Sequence, residues 1–182
     1  MSGRPAVRFG PGGEFELIRR LLASGGSPAR ADVLVGPGDD CAVISGRSIA
    51  VTVDAAVEDI HFRRNWLEPR EIGWRAATGA LSDLAAVAAR PIGVLSTLIM
   101  TAADAAAIAQ EIAAGIAAAA RDVDAVLLGG DVARSTGPLV LDIVALGEAS
   151  EPILRSAAVA GDELWVTGRL GAAAAAVRAW LD

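Results

Sequence analysis

Between residues 69 and 128 the sequence alternates two long stretches at helical spacing with two short apolar runs, and that alternation restricts the chain to folds that layer helices on a sheet. Pro69 suits a first helical turn and Pro91 lies just past the expected end, so the pattern predicts a helix over 69–89. Residues 93–100 read as a buried strand. Thr101 is placed to cap a second long helix over 103–121, followed by a strand at 125–128 whose end carries Gly129, Gly130 and Asp131. A further strand is expected at 139–147. Upstream, Phe15, Ile18, Leu21 and Leu22 give residues 14–23 helical spacing. Short strands are expected at 33–35, 41–44 and 49–54, the first two joined by the turn Gly36-Pro37-Gly38-Asp39-Asp40. The order is strands, helix, strand, helix, two strands. It describes an α+β (mixed α/β) fold and not a regular Rossmann alternation.

The domain expectations follow from the same pass. Residues 1–13, rich in Gly, Pro and Arg, read as a flexible arm, and 14–150 as one domain. Residues 151–161 read as a linker. The segment 162–182 offers a strand at 163–167 and an Ala-rich helix at 171–181, too little to bury a core, so it reads as the start of a second domain of which most is missing.

Composition removes several kinds of chemistry. All sixteen basic residues are arginines, so a Walker A lysine and Schiff-base chemistry are unavailable in these 182 residues. One His and one Cys exclude a zinc cluster of several such ligands and an internal disulfide, but leave oxygen-ligated hard cations open. A net charge of −6 argues against a nucleic-acid groove. The apolar stretch 105–120 is interrupted by Gln110, Glu111 and Gly115, so no membrane span is expected, and with no secretory signal pattern a cytoplasmic location is the expectation.

Four acidic motifs stand out: Gly38-Asp39-Asp40, Asp54 at a strand end, Ser82-Asp83 in a helix, and Gly129-Gly130-Asp131. Carboxylates on separate elements can converge on Mg ions that hold nucleotide phosphates. Each is also open to a plainer reading as a turn residue or helix cap. Asp83, flanked by Leu81, Leu84, Ala85, Val87 and Ala88, is expected to be buried. A buried carboxylate needs a metal, an Arg or backbone donors beside it. His61 follows Glu58 and Asp59 in a polar loop, where a histidine is either solvated or functional.

Taken in order, the motifs resemble the thiamine-monophosphate kinases, of the superfamily of aminoimidazole ribonucleotide synthetase, selenophosphate synthetase and a hydrogenase-maturation protein. Residues 13–18 (GEFELI) resemble the family's GEF-x-LI opening, 38–42 its GDDCA turn, and 51–54 (VTVD) its metal-binding strand. Residues 57–62 (VEDIHF) resemble its VEGxHF loop and 81–86 (LSDLAA) its LSDLAAM helix, with Gly129-Gly130-Asp131, Arg155-Ser156, Gly161-Asp162 and Val166-Thr167-Gly168 following. The resemblance implies that Asp39, Thr52, Asp54, Asp83 and Asp131 hold Mg ions. It implies likewise that Gly130, Asp131 and Arg155 face ATP and that His61 contacts thiamine monophosphate. The implied reaction is in-line transfer of the ATP γ-phosphoryl group to thiamine monophosphate, giving thiamine diphosphate and ADP, by a homodimer whose first domains close a barrel. Arg75 and Ala80 stand where the family usually has Lys and Asn, Val132-Ala133 replace a Thr pair, and Val53 replaces a Thr. Another ATP-dependent enzyme of the superfamily, or a non-catalytic nucleotide-binding or dimerisation module, remains open at this point.

Overall fold

The structure, a computed structural model, describes residues 16, 19–21, 23, 30–35, 43–46, 48–153 and 158–181. The expected arm 1–13 and most of the expected helix 14–23 lie outside them, although Glu16, Arg19 to Leu21 and Ala23 are helical. The chain divides into two compact units, Met1–Pro152 and Ile153–Asp182.

The first unit is α+β. Strands β1 (Val33–Val35) and β2 (Val43–Ile44) pair antiparallel. β3 (Ile49–Val57), β4 (Arg90–Met100), β5 (Val126–Arg134) and β6 (Val140–Glu148) form a four-stranded sheet in the order β3-β6-β4-β5. Of the neighbouring pairs only β4 and β5 are parallel, and a parallel pair requires the helical crossover that joins them. Helix α1 (Pro69–Ala86) links β3 to β4, and α2 (Ala102–Ala107) with α3 (Ala109–Asp122) links β4 to β5. The helix expected at 103–121 is therefore broken at Ile108, which ends α2 and caps α3 while packing against the core. Thr101 caps as expected, its Oγ1 accepting the Asp104 N–H at 3.1 Å.

Both long helices end alike. Ala89 N–H reaches back to Leu84 O and Ala88 N–H to Ala85 O, while Ala125 N–H reaches Ala120 O and Asp124 N–H reaches Arg121 O. These are Schellman turns, with Ala88 and Asp124 each at φ 55° where glycine is usual. They turn each helix directly into the strand that follows.

The core lies between the sheet and the helices, where Ile72, Ala77, Leu84, Ile112, Ile116 and Ala120 meet Val94, Leu98, Leu141 and Ile143. Alanine-rich faces let α1 and α3 approach closely, to the point that a Cβ on Gly73 would stand 2.0 Å from Ile112 O and one on Gly115 2.0 Å from Arg70 O. On the other side of the sheet Val33 covers Ile92, Val126 and Leu128. Asp32 fastens that hairpin, bonding Arg30 Nε at 2.9 Å and Arg90 Nη1 at 3.0 Å, with Arg90 Nη2 on Glu148 at 2.7 Å.

In the second unit α4 (Ala172–Leu181) forms as expected, but residues 163–167 do not form a strand. Leu164 and Val166 alternate as a strand's would, yet no partner strand is present among the described residues, and unpaired backbone gains nothing from extension. Among the described residues no helix is long and apolar enough to cross a membrane.

Candidate functional site

Side chains two apart on a strand share a face, and those four apart on a helix do so too. β3 and α1 use both periods to build one site. Thr52 Oγ1 donates a 2.6 Å hydrogen bond to Asp83 Oδ2, and Asp54 Oδ2 lies 3.4 Å from where a Cβ on Gly79 would stand. Thr52 thus meets Asp83 as Asp54 meets Gly79, and α1 runs antiparallel across the strand. The role of Gly79 is not signalled by any motif, but its position four residues before Asp83 places it on the same helical face.

Asp83 corrects the sequence reading. It is exposed, not buried, although its neighbours Leu81 and Leu84 are in the core. Each helical residue turns about 100° from the last, so Leu81 and Leu84 point inward while Ser82 and Asp83 point out between them. Its partner is a hydroxyl, and no buried counter-charge is needed.

Gly130 and Asp131 lie on β5, both exposed. A Cβ at Gly130 would sit 1.8 Å from Ser96 O, so β5 can come this close to β4 only with glycine there. The register sets Asp54, Ile143, Ser96 and Gly130 in one row across the sheet, and Ala55, Asp142, Thr97 and Asp131 in the next. β3 and β5 are the outer strands with β6 and β4 between, which separates the Asp54 and Asp131 backbones by about 14 Å. One ion does not bridge that gap.

Among the described residues no three His, Cys, Asp or Glu side chains converge closely enough to hold a metal ion by themselves. Thr52, Asp54 and Asp83 nonetheless make an oxygen-only donor set at one junction. That set fits Mg, which keeps several waters and takes one or two carboxylates together with substrate phosphates. Asp39 and Arg155 lie outside the described residues.

His61 is exposed on the loop that follows β3. Its Nδ1 accepts the Val57 N–H at 3.1 Å, so the neutral ring carries its proton on Nε2. The turn closes through Asp59 N–H to Phe62 O at 2.8 Å, with Asp59 at φ 65° and Phe62 anchored in the core. Glycine in the resembled VEGxHF motif suits that backbone, and Asp is among the residues that tolerate it.

A mixed sheet with two long helices packed on one face, and oxygen ligands at the β3–α1 junction, defines a class. Residues 38–149 match the AIR synthase related protein, N-terminal domain, and the chain belongs to that family. Within it the chain is similar to thiamine-monophosphate kinases. That of Mycobacterium tuberculosis (strain ATCC 25618 / H37Rv) is 36% identical over 175 residues, covering 93% of this chain and 51% of the relative. The crystal structure of the thiamine-monophosphate kinase from Stenotrophomonas maltophilia K279a matches with a TM-score of 0.76 at 36% identity, covering 91% of this chain and 52% of that one. AaThiL complexed with AMPPCP and TMP shares the fold at 22% identity and a TM-score of 0.51, over 54% of this chain and 31% of that one. The chain spans about half the length of the curated relatives it matches.

Proposed function

We propose that this chain is the nucleotide- and metal-binding amino-terminal part of a thiamine-monophosphate kinase. The observation that carries the reading is the Thr52–Asp83 hydrogen bond, which brings two separate motifs of the resemblance to one point beside Asp54. The similarity to named kinases supplies the substrates, ATP and thiamine monophosphate. In this reading Thr52, Asp54 and Asp83 hold Mg at the junction, and Asp39 and Asp131 hold Mg elsewhere along the bound nucleotide. Gly130 and Asp131 face the nucleotide phosphates, Arg155 joins them, and His61 contacts thiamine monophosphate. The domain spans 14–150, with 1–13 an arm, 151–161 a linker and 162–182 part of a second domain.

The chemistry joins two anions. A terminal phosphate oxygen of thiamine monophosphate forms the new bond to Pγ as the bond from Pγ to the ADP oxygen breaks, yielding thiamine diphosphate and ADP. Mg would neutralise phosphate charge as it shifts. The protein's own part is positioning: β3 and α1 fix the oxygen ligands, and the His61 loop aligns the acceptor. The location is cytoplasmic, and the protein is a homodimer through the β3 end of the sheet, where Val51 and Val53 are exposed.

Calorimetric titration tests this. ATP binds only with Mg, and thiamine monophosphate binds to the Mg–AMPPCP complex. Mg-independent ATP binding, or no binding of thiamine monophosphate to that complex, overturns the reading.

A further inference from the structure

The loop bearing His61 is held by a charge cluster that no motif announces. Arg64 Nε meets Glu58 Oε1 at 2.6 Å and its Nη2 meets Glu58 Oε2 at 2.8 Å. Its other edge bonds Asp104, through Nη1 to Oδ1 and through Nη2 to Oδ2 at 3.1 Å. One guanidinium therefore clasps two carboxylates bidentately, a geometry a lysine ammonium does not reproduce. Each carboxylate is tied further into the fold. Glu58 Oε2 accepts the Leu139 N–H at 3.0 Å while Glu58 N–H reaches Leu139 O at 2.9 Å, fixing the loop to the start of β6. Asp104 Oδ2 accepts from Thr101 Oγ1 at 2.9 Å, within the cap of α2.

These anchors flank the His61 turn on both sides. The exposed residues Asp59, Ile60 and His61 project between the end of β3 and the buried Phe62, so the anchors at Glu58 and Arg64 add to the bonds that the turn makes with Val57.

We propose that Arg64 is a positioning residue: by clasping Glu58 and Asp104 it holds the His61 ring in one orientation and one tautomer, with Nε2–H presented outward to a phosphorylated acceptor. The acceptor part rests on the reading of His61 given above. The cluster is partly solvated but bidentate on both carboxylates, so it contributes to stability as well as to the geometry of the loop. The guanidinium stays charged across the physiological range, since its two carboxylates raise its pKa, and Asp104 is held below its ordinary value chiefly by the hydrogen bond from Arg64.

The test uses the fact that the chain has a single histidine, so its ring nitrogens give one unambiguous NMR signature. In the wild type, at about pH 8, the neutral ring shows one species protonated on Nε2. Arg64→Gln and Arg64→Lys both yield mixed tautomers or broadened ring signals while the rest of the fold, read by the backbone amide spectrum, stays as in wild type. Both weaken thiamine monophosphate binding on the order of tenfold while leaving Mg–ATP binding unchanged. In a His61→Ala background, Arg64→Gln adds no further loss. Wild-type ring signals in Arg64→Gln overturn the proposal, as does an equal loss for both ligands. If His61→Ala binds thiamine monophosphate normally, the substrate reading of His61 fails, and the ring signals alone then decide what Arg64 does.

Discussion

The Thr52 hydroxyl donates to the Asp83 carboxylate across 2.6 Å, joining a strand to a helix beside the exposed Asp54. Asp83→Asn keeps an acceptor for Thr52 but removes the charge. Because the side chain is exposed, folding stability should stay within about 0.5 kcal/mol of wild type. Mg-dependent ATP affinity should fall on the order of tenfold or more, since a hard cation loses an anionic oxygen. Titrations with and without Mg decide it. Equal affinities in mutant and wild type would remove Asp83 from the ligand set.

Gly73 and Gly115 face backbone of the opposite helix with no room for a methyl, at 2.0 Å from Ile112 O and Arg70 O. Neither obstacle is a flexible side chain that can step aside. Gly115→Ala should therefore push α1 from α3 and cost about 3 kcal/mol, measured as a lower urea midpoint. Better intrinsic helix propensity would offset only about 1 kcal/mol. A wild-type midpoint would show that the helices separate freely. The β3–α1 site would then also tolerate their movement.

How much of this was legible beforehand is clearest from particular residues. Pro69 and Thr101 announced their helix starts because capping is local chemistry, settled within one turn. The break at Ile108 was not legible, since the Ala-rich sequence on either side favours helix equally and only the docking of Ile108 on the core decides the kink. Asp83 was misplaced by its apolar neighbours, because composition around a residue does not say which way a helix turns it. Residues 163–167 carry an apolar alternation that needs a neighbouring strand to become β-structure. The pairing of Thr52 with Asp83 spans 31 positions, and no sequence period connects a strand to the helix that crosses it.

Asp32 links the hairpin to the sheet through Arg30 and Arg90, and the Arg30 hydrogen bond, with help from Arg90, holds its carboxyl well below the usual range. A depressed folded pKa contributes stability that is complete above the unfolded value of about 3.9 and is lost as pH falls through the folded one. Asp32→Asn should thus be less stable at neutral pH and lose less on acidification below about pH 4. Asp104, also depressed, keeps some acid sensitivity in the mutant. Thermal midpoints across that range test the sign. Parallel curves for mutant and wild type would show that the pair with Arg30 contributes nothing.

The outer face of β3 carries a row of exposed apolar side chains. Val51 and Val53 are 61% and 60% exposed, and Ile49 stands beside them on the same face. Among the described residues β3 is also an edge strand, so its outer backbone lies along the same border as these apolar side chains. Soluble chains rarely leave such a row open. Association of two copies through this face would cover it, and burying the exposed part of each valine contributes on the order of 1 kcal/mol. A two-fold interface counts every residue twice, so Val53→Glu both removes that term in two copies and places two carboxylates opposite apolar surface. The expected result is a homodimer at micromolar concentration for the wild type, and a dissociation constant at least about a hundredfold higher for Val53→Glu. Light scattering across a dilution series reads both. A wild-type monomer at tens of micromolar, or a mutant dimer as tight as wild type, would place the association elsewhere or remove it.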